Sequence, residues 1–375
     1  MLSPEVLVRV NRRIKGRKVK ALAANTMRLL GMRHMVIRMD TINLCNLRCK
    51  MCYYSSDYMR KKEEMDLPLF RKIADQVFPK TRFLYLSCAT EPTVNKHFAS
   101  IVQATGEYKV PFTSFCTNGQ LLREDVVQAC IEAKISEIIF SIDGATAETY
   151  EYIRAGGKWG RLLEKLDMLA AMKERAKAKN PVTRINFTCM LRNIRELPAM
   201  VHFAADHGVR SLHVRHLLAY SDEQNSCPEQ MTYLRVFNSV SAEAKKEASL
   251  RGVDLFLPDS VSGNKHSTGK TCLTDASQLA VTEANPYCLL PWMQAIISWN
   301  GDYRICSTHR KLGNFQEQSF DEIFNGQQLR QIRKRMLWRA KDSCSWDCRE
   351  EAYEAPELDN EQPAELIGIA PVTDL

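Results

Sequence analysis

The most informative part of the chain reads Asp40-Thr-Ile-Asn-Leu-Cys45-Asn-Leu-Arg-Cys49-Lys-Met-Cys52 and follows the apolar run Met35–Met39. Its three cysteines have the spacing C-x3-C-x2-C. Thiolates are soft ligands that suit iron–sulfur clusters, and three of them leave one iron of a four-iron cube open. A structural zinc site is the alternative, but such sites usually pair two C-x2-C units or add histidines. No second pair lies near this stretch, so we expect a cluster with one iron free to bind a non-protein molecule.

Length and composition set the outer limits of the interpretation. The chain has 375 residues, of which 45% are hydrophobic, enough for one large domain and a smaller one. No apolar run reaches the roughly 18 residues of a membrane span, and charges precede any stretch long enough for a signal peptide. Thirteen cysteines in such a chain favour clusters and buried thiols over disulfides. We therefore expect a protein of the reducing cytoplasm.

Between residues 35 and 218, short apolar runs alternate with longer amphipathic ones. Repeated strand–helix units imply parallel strands joined by right-handed crossovers. Six such units predict an α/β fold, a partial (β/α)6 TIM-like barrel whose chemistry lies at the C-terminal strand ends. The cysteine loop follows the first strand on that face. Strands are predicted at 35–39, 83–87, 112–116, 135–142, 185–190 and 209–216, and helices at 67–77, 97–106, 122–133, 159–177 and 197–206.

Residues after the later strands complete a pattern that resembles the radical S-adenosylmethionine (SAM) superfamily. Met51 precedes the third cysteine, Glu91-Pro92 follows the second strand, Ser141 ends the fourth, and Arg154 lies beyond it. Ala89 and Thr90 replace the two glycines that the family carries before the glutamate. The resemblance implies that SAM binds the open iron and is cleaved reductively, which gives a 5′-deoxyadenosyl radical that abstracts hydrogen from substrate.

The same resemblance implies roles for individual residues. The implied cluster ligands are Cys45, Cys49 and Cys52. The implied SAM contacts are Met51, Tyr53, Glu91, Ser141 and Arg154. Among them, Glu91 is expected to receive the SAM amino group and Arg154 its carboxylate, which a guanidinium can hold with two hydrogen bonds.

A second group of cysteines begins near residue 288. Cys288 and Cys306 flank a predicted hairpin that turns at Asn300-Gly301, and Cys344 and Cys348 follow a helix. This arrangement resembles the SPASM and twitch auxiliary-cluster domains and implies one auxiliary [4Fe–4S] cluster with four thiolate ligands. A zinc ribbon is the alternative. Cys272 is a further candidate ligand.

The predicted organisation has five parts: a basic extension (1–33), the partial barrel (34–220), a bridge or lid (221–286), a small auxiliary-cluster domain of hairpin and helix (287–349) and an acidic tail (350–375). The basic extension holds nine Lys and Arg against one acid. We expect it to form a helix that caps the barrel; contact with an anionic membrane or with a phosphorylated substrate is the alternative. Nucleic-acid binding is not expected, because no binding module accompanies the charge.

The reaction itself is less constrained than the cofactors. Ser307 stands where sulfatase-maturing relatives carry an aspartate, and no leader-gripping module is recognised ahead of the barrel. Both features favour a small-molecule or carrier-linked substrate. We expect net oxidation through the auxiliary cluster, since no thiol is clearly placed to return hydrogen, and a flavodoxin- or ferredoxin-type electron donor. A peptide- or protein-modifying maturase, an epimerase that returns hydrogen, and a non-catalytic iron–sulfur scaffold or redox sensor are the alternatives. Candidate catalytic residues are Cys189, Cys227 and His309, and Arg215 and His216 end the sixth strand, where they could face substrate.

Overall fold

The computed structural model describes residues 17–52, 61–87, 89–217, 227–258, 290–306 and 311–338. The strands are β1 (Met35–Met39), β2 (Thr81–Leu86), β3 (Phe112–Thr117), β4 (Glu137–Ser141), β5 (Val182–Cys189), β6 (Ser211–His216), β7 (Asp254–Phe256), β8 (Gln294–Ile297), β9 (Asp302–Arg304) and β10 (Gly313–Asn314). The α-helices are α1 (Arg17–Leu29), α2 (Leu67–Val77), α3 (Phe98–Glu107), α4 (Glu124–Glu132), α5 (Ala147–Ile153), α6 (Trp159–Arg175), α7 (Leu197–Asp206), α8 (Cys227–Arg251), α9 (Leu290–Met293), α10 (Phe320–Phe324) and α11 (Gln327–Trp338).

All strands belong to one open sheet in the order β10-β9-β8-β1-β2-β3-β4-β5-β6-β7. The six predicted parallel strands are confirmed, and they pair in chain order from β1 to β6. A further strand, β7, extends the sheet parallel to β6. The parallel part of the sheet therefore has eight strands, because β8 adds to the β1 edge.

The predicted hairpin is confirmed, but it is not a separate layer. Gly301 has φ +85°, a conformation that glycine adopts without strain, and its N–H donates to Ser298 O across 2.9 Å. The turn joins β8 to β9 in an antiparallel pair. Because β8 also pairs with β1, the hairpin continues the barrel sheet instead of standing apart from it.

Alternation along each strand separates a helix-facing side from an interior-facing side. Ile37, Leu84, Phe115, Phe140 and Phe187 are fully buried and belong to the hydrophobic core between sheet and helices. The Phe98 ring of α3 packs edge-on against Phe115, with ring centroids 5.1 Å apart. Burial of these side chains gives the barrel its main stabilisation, at about 1.5–3 kcal/mol for each large apolar side chain.

Alternate residues of β1–β6 face the inside of the partial barrel, which we call the lumen. Phe83 and Phe112 form its aromatic floor, with ring centroids 5.8 Å apart. Above them the alternation places polar side chains, among them Ser114 and Asn186. The lumen opens at the C-terminal strand ends, where the cysteine loop lies.

Helix α1 packs on the barrel through Ala21 and Ala24, which are buried in the core. This contact agrees with the predicted cap. Leu22 and Leu29 on the same helix remain exposed. Within the described residues, no helix has the length and apolar character that crossing a bilayer requires.

Candidate functional site

The loop that carries Cys45, Cys49 and Cys52 is tied to the loops after β2 and β3. Asp40 Oδ1 accepts a hydrogen bond from Ala89 N–H (3.0 Å), and Glu91 N–H donates to Leu44 O across 3.3 Å. We call this end of the barrel the mouth; it comprises residues 40–52 with Glu91, Asn118, Asp143 and Arg154. The cysteines therefore sit on a fixed edge of the parallel sheet, as the sequence predicts.

Polar donors surround the thiols of the cysteine loop. Cys49 is buried, and Cys45 and Cys52 are half-buried. Leu47 N–H lies 3.5 Å from Cys45 Sγ, Asn118 Nδ2 lies 3.8 Å from the same sulfur, and Arg154 Nη1 lies 3.8 Å from Cys49 Sγ. Donors of this kind stabilise thiolates that hold an iron–sulfur cluster. The residues at the mouth thus fit a thiolate-ligated cluster.

Burial alone disfavours charge on these thiols. It raises the pKa of Cys45 to about 12, although the Leu47 N–H opposes this shift. It also raises the pKa of Cys49, against the charge of Arg154. Metal ligation deprotonates thiols, so the loop is suited to hold thiolates when iron is bound.

The Glu91 carboxylate is enclosed by its own loop and by β3. Its oxygens accept four hydrogen bonds: from Thr93 N–H (3.2 Å), Thr93 Oγ1 (2.5 Å), Thr117 Oγ1 (2.7 Å) and Asn118 N–H (2.6 Å). Burial raises the pKa of Glu91, and these donors work against the shift. The carboxylate therefore holds the β2 and β3 loops together. That it also receives the SAM amino group stays a prediction.

Asn118 is positioned by the tight turn that follows β3. Gly119 has φ +79°, and a Cβ there would lie 3.0 Å from Leu162 Cδ1. Only glycine fits this turn without displacing its neighbours. The turn directs the Asn118 amide to both Cys45 and Asn46, whose Oδ1 lies 2.9 Å from Asn118 Nδ2.

Arg154 lies just beyond α5 and forms a buried ion pair with Asp143, with Nη2 and Oδ2 2.6 Å apart. Asp143 Oδ1 also accepts from Thr188 N–H (2.6 Å). Burial raises the pKa of Asp143, and Arg154 opposes that shift. The Arg154 guanidinium thus links the Asp143 carboxylate to the Cys49 sulfur. Its predicted contact with the SAM carboxylate stays a prediction.

The other predicted SAM contacts are only partly described. Ser141 is half-buried and ends β4 on the lumen side, opposite Asn186 in the strand register. Met51 is half-buried on the cysteine loop. Tyr53 lies outside the described residues.

The predicted auxiliary site falls mostly outside the described residues as well. Cys306 follows β9, is half-buried and packs against the core. The other candidates in that region lie outside: Cys272, Cys288, His309, Cys344 and Cys348. The four-thiolate arrangement stays a prediction.

Among the candidate residues whose side chains are described, Cys189 and His216 lie on the helix-facing side of the sheet. Cys189 is fully buried among core residues beneath α8, and burial raises its pKa to about 12. His216 Nδ1 makes a short hydrogen bond with Tyr233 Oη of α8, so this ring also faces the helices. Arg215 is exposed on the opposite, lumen-facing side of β6. The Cys227 side chain lies outside the described residues.

Cys116, which sequence reasoning did not single out as a candidate, faces the lumen. It alternates with the helix-facing Phe115, and its Sγ lies 3.7 Å from Asn186 Nδ2. The signal that identifies it is the period-two pattern of β3, in which Ser114 and Cys116 share one side.

Family models match the barrel region and the C-terminal region of the chain separately. The model of the Radical SAM superfamily matches residues 39–204, and that of SPASM, an iron–sulfur cluster-binding domain, matches residues 288–349. The tungsten-containing aldehyde ferredoxin oxidoreductase cofactor-modifying protein of Pyrococcus furiosus is 24% identical over 338 residues, covering 82% of this chain and 86% of that protein. Mycofactocin maturase MftC of Mycobacterium ulcerans is 30% identical over 127 residues, 34% of each chain.

Solved structures share the fold. Streptococcus suis SuiB bound to S-adenosylmethionine superposes with a TM-score of 0.61 at 14% identity, covering 91% of this chain and 80% of that one. Native anSMEcpe with bound AdoMet gives a TM-score of 0.54 at 16% identity, covering 84% and 88%. The chain belongs to the radical SAM superfamily and is an enzyme that binds SAM, a [4Fe–4S] cluster and, in a C-terminal SPASM domain, auxiliary iron–sulfur.

Proposed function

We propose that this enzyme abstracts hydrogen from a small-molecule or carrier-linked substrate and oxidises it, with one auxiliary cluster as electron acceptor. The observation that supports the first part is the position of the cysteine loop directly over a polar lumen, which gives substrate a place beside the cluster ligands. Its cofactors supply the reaction with a radical from reductively cleaved SAM. The chain's own residues bind and orient the cofactors and the substrate and shield them from solvent.

In this proposal Cys45, Cys49 and Cys52 hold the SAM-binding cluster. Asn118 and Arg154 act as positioning residues through the sulfurs of Cys45 and Cys49, at 3.8 Å each. The Glu91 carboxylate fixes the loops that carry these donors.

Further roles follow from the resemblance. Met51, Tyr53, Glu91, Ser141 and Arg154 are the proposed contacts to SAM. Cys288, Cys306, Cys344 and Cys348 are the proposed ligands of a single auxiliary [4Fe–4S] cluster. A cluster with four thiolate ligands has no open iron, which favours electron transfer over substrate coordination.

The substrate class is supported by the relative of widest coverage. The Pyrococcus furiosus protein, called cofactor-modifying, aligns over 82% of this chain, whereas the mycobacterial maturase aligns over 34%. Peptide modification is the alternative that the maturase supports. We propose a cytoplasmic location, since thiolate clusters need a reducing compartment, and a flavodoxin- or ferredoxin-type donor.

Hydrogen return, as in an epimerase, is a second candidate because the Cys116 thiol faces the lumen beside Asn186. Solvent deuterium in the product would favour it over net oxidation. A non-catalytic scaffold is set aside, because the chain belongs to a superfamily of enzymes.

Anaerobic reconstitution tests the proposal. Two four-iron clusters give roughly eight irons for each chain, and reduced protein should form 5′-deoxyadenosine from SAM without substrate. The triple variant C45A/C49A/C52A should lose about half of the iron and all 5′-deoxyadenosine formation. Cys306→Ala should lose the other half and keep SAM cleavage.

Cys130→Ala is the matched control, because Cys130 is fully buried in the core and is not a proposed ligand. It should keep full iron content and activity. Intact protein with about four irons and one tightly held zinc would refute the auxiliary cluster, and SAM cleavage by the triple variant would refute the assigned ligands.

A further inference from the structure

The lumen carries a charged layer between its aromatic floor and the mouth. Arg38, Arg184 and Arg215 place three guanidinium groups on interior-facing positions of β1, β5 and β6, and Glu137 places one carboxylate on β4. The alternate positions on these strands, such as Ile37, are helix-facing and buried. Among the residues that the structure describes in this layer, cations therefore outnumber carboxylates three to one.

Strand register and direct contacts bring the layer together. Arg38 is level with Tyr85, Tyr85 with Ser114, and Ser114 with Glu137, in one row across four strands. Arg184 Nη1 lies 3.2 Å from Glu137 Oε2. Among the described residues of the layer, three guanidinium groups thus stand against one carboxylate, so the formal charge of the layer is positive.

Several polar atoms of the layer are buried with no hydrogen-bond partner among the described residues. They are Nε of Arg38, Nε of Arg184, Oγ of Ser114 and Oδ1 of Asn186. Ser114 is completely buried. A buried polar atom without a partner costs about 1–3 kcal/mol, and native proteins rarely leave several together. The two Nε–H groups and the Ser114 hydroxyl, on β1, β5 and β3, are donors that a ligand with oxygen acceptors would satisfy.

The histidine of the lumen does not alter the sign of the charge. His213 is level with Asn186 in the β5–β6 register. Burial lowers its pKa to about 3, and the charges of Arg184 and Arg215 add to the effect. His213 is therefore neutral at physiological pH, and the excess charge remains that of the arginines.

We propose that the lumen binds an anionic group of the substrate, a carboxylate or a phosphate, through Arg38 and Arg184, with Ser114 as a neutral partner. Guanidinium groups match both anions in geometry and charge. The anion enters from the mouth and lies above the aromatic floor, so the rest of the substrate extends towards the cysteine loop. The inference rests on the proposed function only in assigning this anion to the substrate.

The test is calorimetric titration of the full-length, cluster-loaded protein under anaerobic conditions. SAM is present at saturation, so that the site for its own carboxylate is filled. The probes are inorganic phosphate, succinate and, as the uncharged match of succinate, succinamide. We expect at least one anion to bind and succinamide not to bind. Phosphate binding alone would identify a phosphorylated substrate, and succinate binding alone a carboxylate.

Variants locate the bound anion. Arg38→Gln should weaken its binding roughly 10-fold to 100-fold, and Ser114→Ala roughly threefold to tenfold. Arg210→Gln is the control, since Arg210 is exposed and pairs with Asp254 on the surface; its binding should match wild type. If Arg38→Gln does not fold, the anion affinity of Ser114→Ala tests the site instead, because that change removes only one small group.

Three outcomes would overturn the inference: no binding of either anion, equal binding of succinamide, or unchanged binding in both lumen variants. The proposed function has a separate readout in 5′-deoxyadenosine formation without substrate. Loss of that activity with intact anion binding would count against the function and not against the lumen site.

Discussion

The mouth and the lumen of the barrel both bury charged groups, but they compensate them differently. At the mouth, Glu91 accepts four hydrogen bonds and Asp143 is paired with Arg154 and with Thr188 N–H. In the lumen, three arginines face a single carboxylate among the described residues, that of Glu137. Buried Nε atoms without a described partner occur in both regions, on Arg38 and Arg184 in the lumen and on Arg154 at the mouth. A carboxylate that accepts several protein hydrogen bonds holds a fixed arrangement, whereas a layer with more cations than carboxylates favours an anionic ligand.

The mouth and the lumen therefore have different tasks: the mouth holds the cluster thiols, and the lumen selects the substrate. The mouth fixes the thiols by contacts that come from four different strand ends, so its geometry does not depend on substrate. The lumen carries its charge on strands whose helix-facing sides form the rigid core. A rigid frame with unmet hydrogen-bonding capacity is suited to select among substrates.

The largest expected effect comes from breaking the ion pair at the mouth. Arg154→Met leaves the Asp143 carboxylate buried without its partner, and we expect a loss of about 3–5 kcal/mol in the free energy of unfolding. Arg184→Met in the lumen should cost less, about 1–3 kcal/mol, because the remaining arginines still compensate Glu137. Urea unfolding of the three proteins measures both differences.

Arg123→Met is the surface control for that comparison. Arg123 pairs with Asp125, and both side chains are substantially exposed, so the change should cost no more than about 1 kcal/mol. Equal losses for Arg154→Met and Arg184→Met would mean that mouth and lumen compensate their charge alike, and the contrast would fail.

The second effect concerns Glu91. Glu91→Ala removes the acceptor for Thr93, Thr117 and Asn118, and we expect a loss of about 2 kcal/mol in unfolding free energy. SAM affinity should also fall, since Asn118 loses its anchor beside Cys45 and the SAM ammonium loses its proposed partner. Unchanged SAM affinity in a folded Glu91→Ala protein would show that the amino group binds elsewhere.

Much of this architecture was predictable because its signals are local. The C-x3-C-x2-C loop after an apolar run, the strand–helix alternation and the Asn300-Gly301 turn each depend on neighbouring residues alone. The helices predicted at 67–77 and 197–206 have these bounds in the structure. Helix α5 (Ala147–Ile153) was missed, because its single short stretch hardly repeats a helical period.

The contacts that sequence reasoning missed join residues that are distant in the chain. Nothing near Arg154 indicates that Asp143 neutralises it, and nothing near Gln294 indicates that β8 joins the β1 edge. Cys189 is a different case. Its alternation with Thr188 and Asn186 places it on the helix-facing side with Phe187, so the period of β5 already argued against a substrate-facing thiol.

The smallest expected effect comes from a comparison of two cysteines, Cys116 on β3 and Cys130 on α4. Cys116 faces the lumen, where Asn186 Nδ2 lies 3.7 Å from its sulfur. Cys130 of α4 is fully buried, and burial alone raises its pKa. A serine hydroxyl at 116 keeps the hydrogen bond from Asn186, whereas one at 130 is surrounded by apolar side chains. We therefore expect Cys116→Ser to cost less than about 1 kcal/mol and Cys130→Ser about 1–3 kcal/mol.

The two serine variants test whether the lumen is a polar compartment in its own right, independently of any ligand. A polar compartment tolerates a hydroxyl, and an extension of the core does not. Urea midpoints at constant m-value provide the measurement, because a changed m-value would signal altered compactness. If Cys116→Ser is as costly as Cys130→Ser, the lumen wall behaves like core, and its unpartnered atoms would then reflect a tolerated penalty instead of a site for an anion.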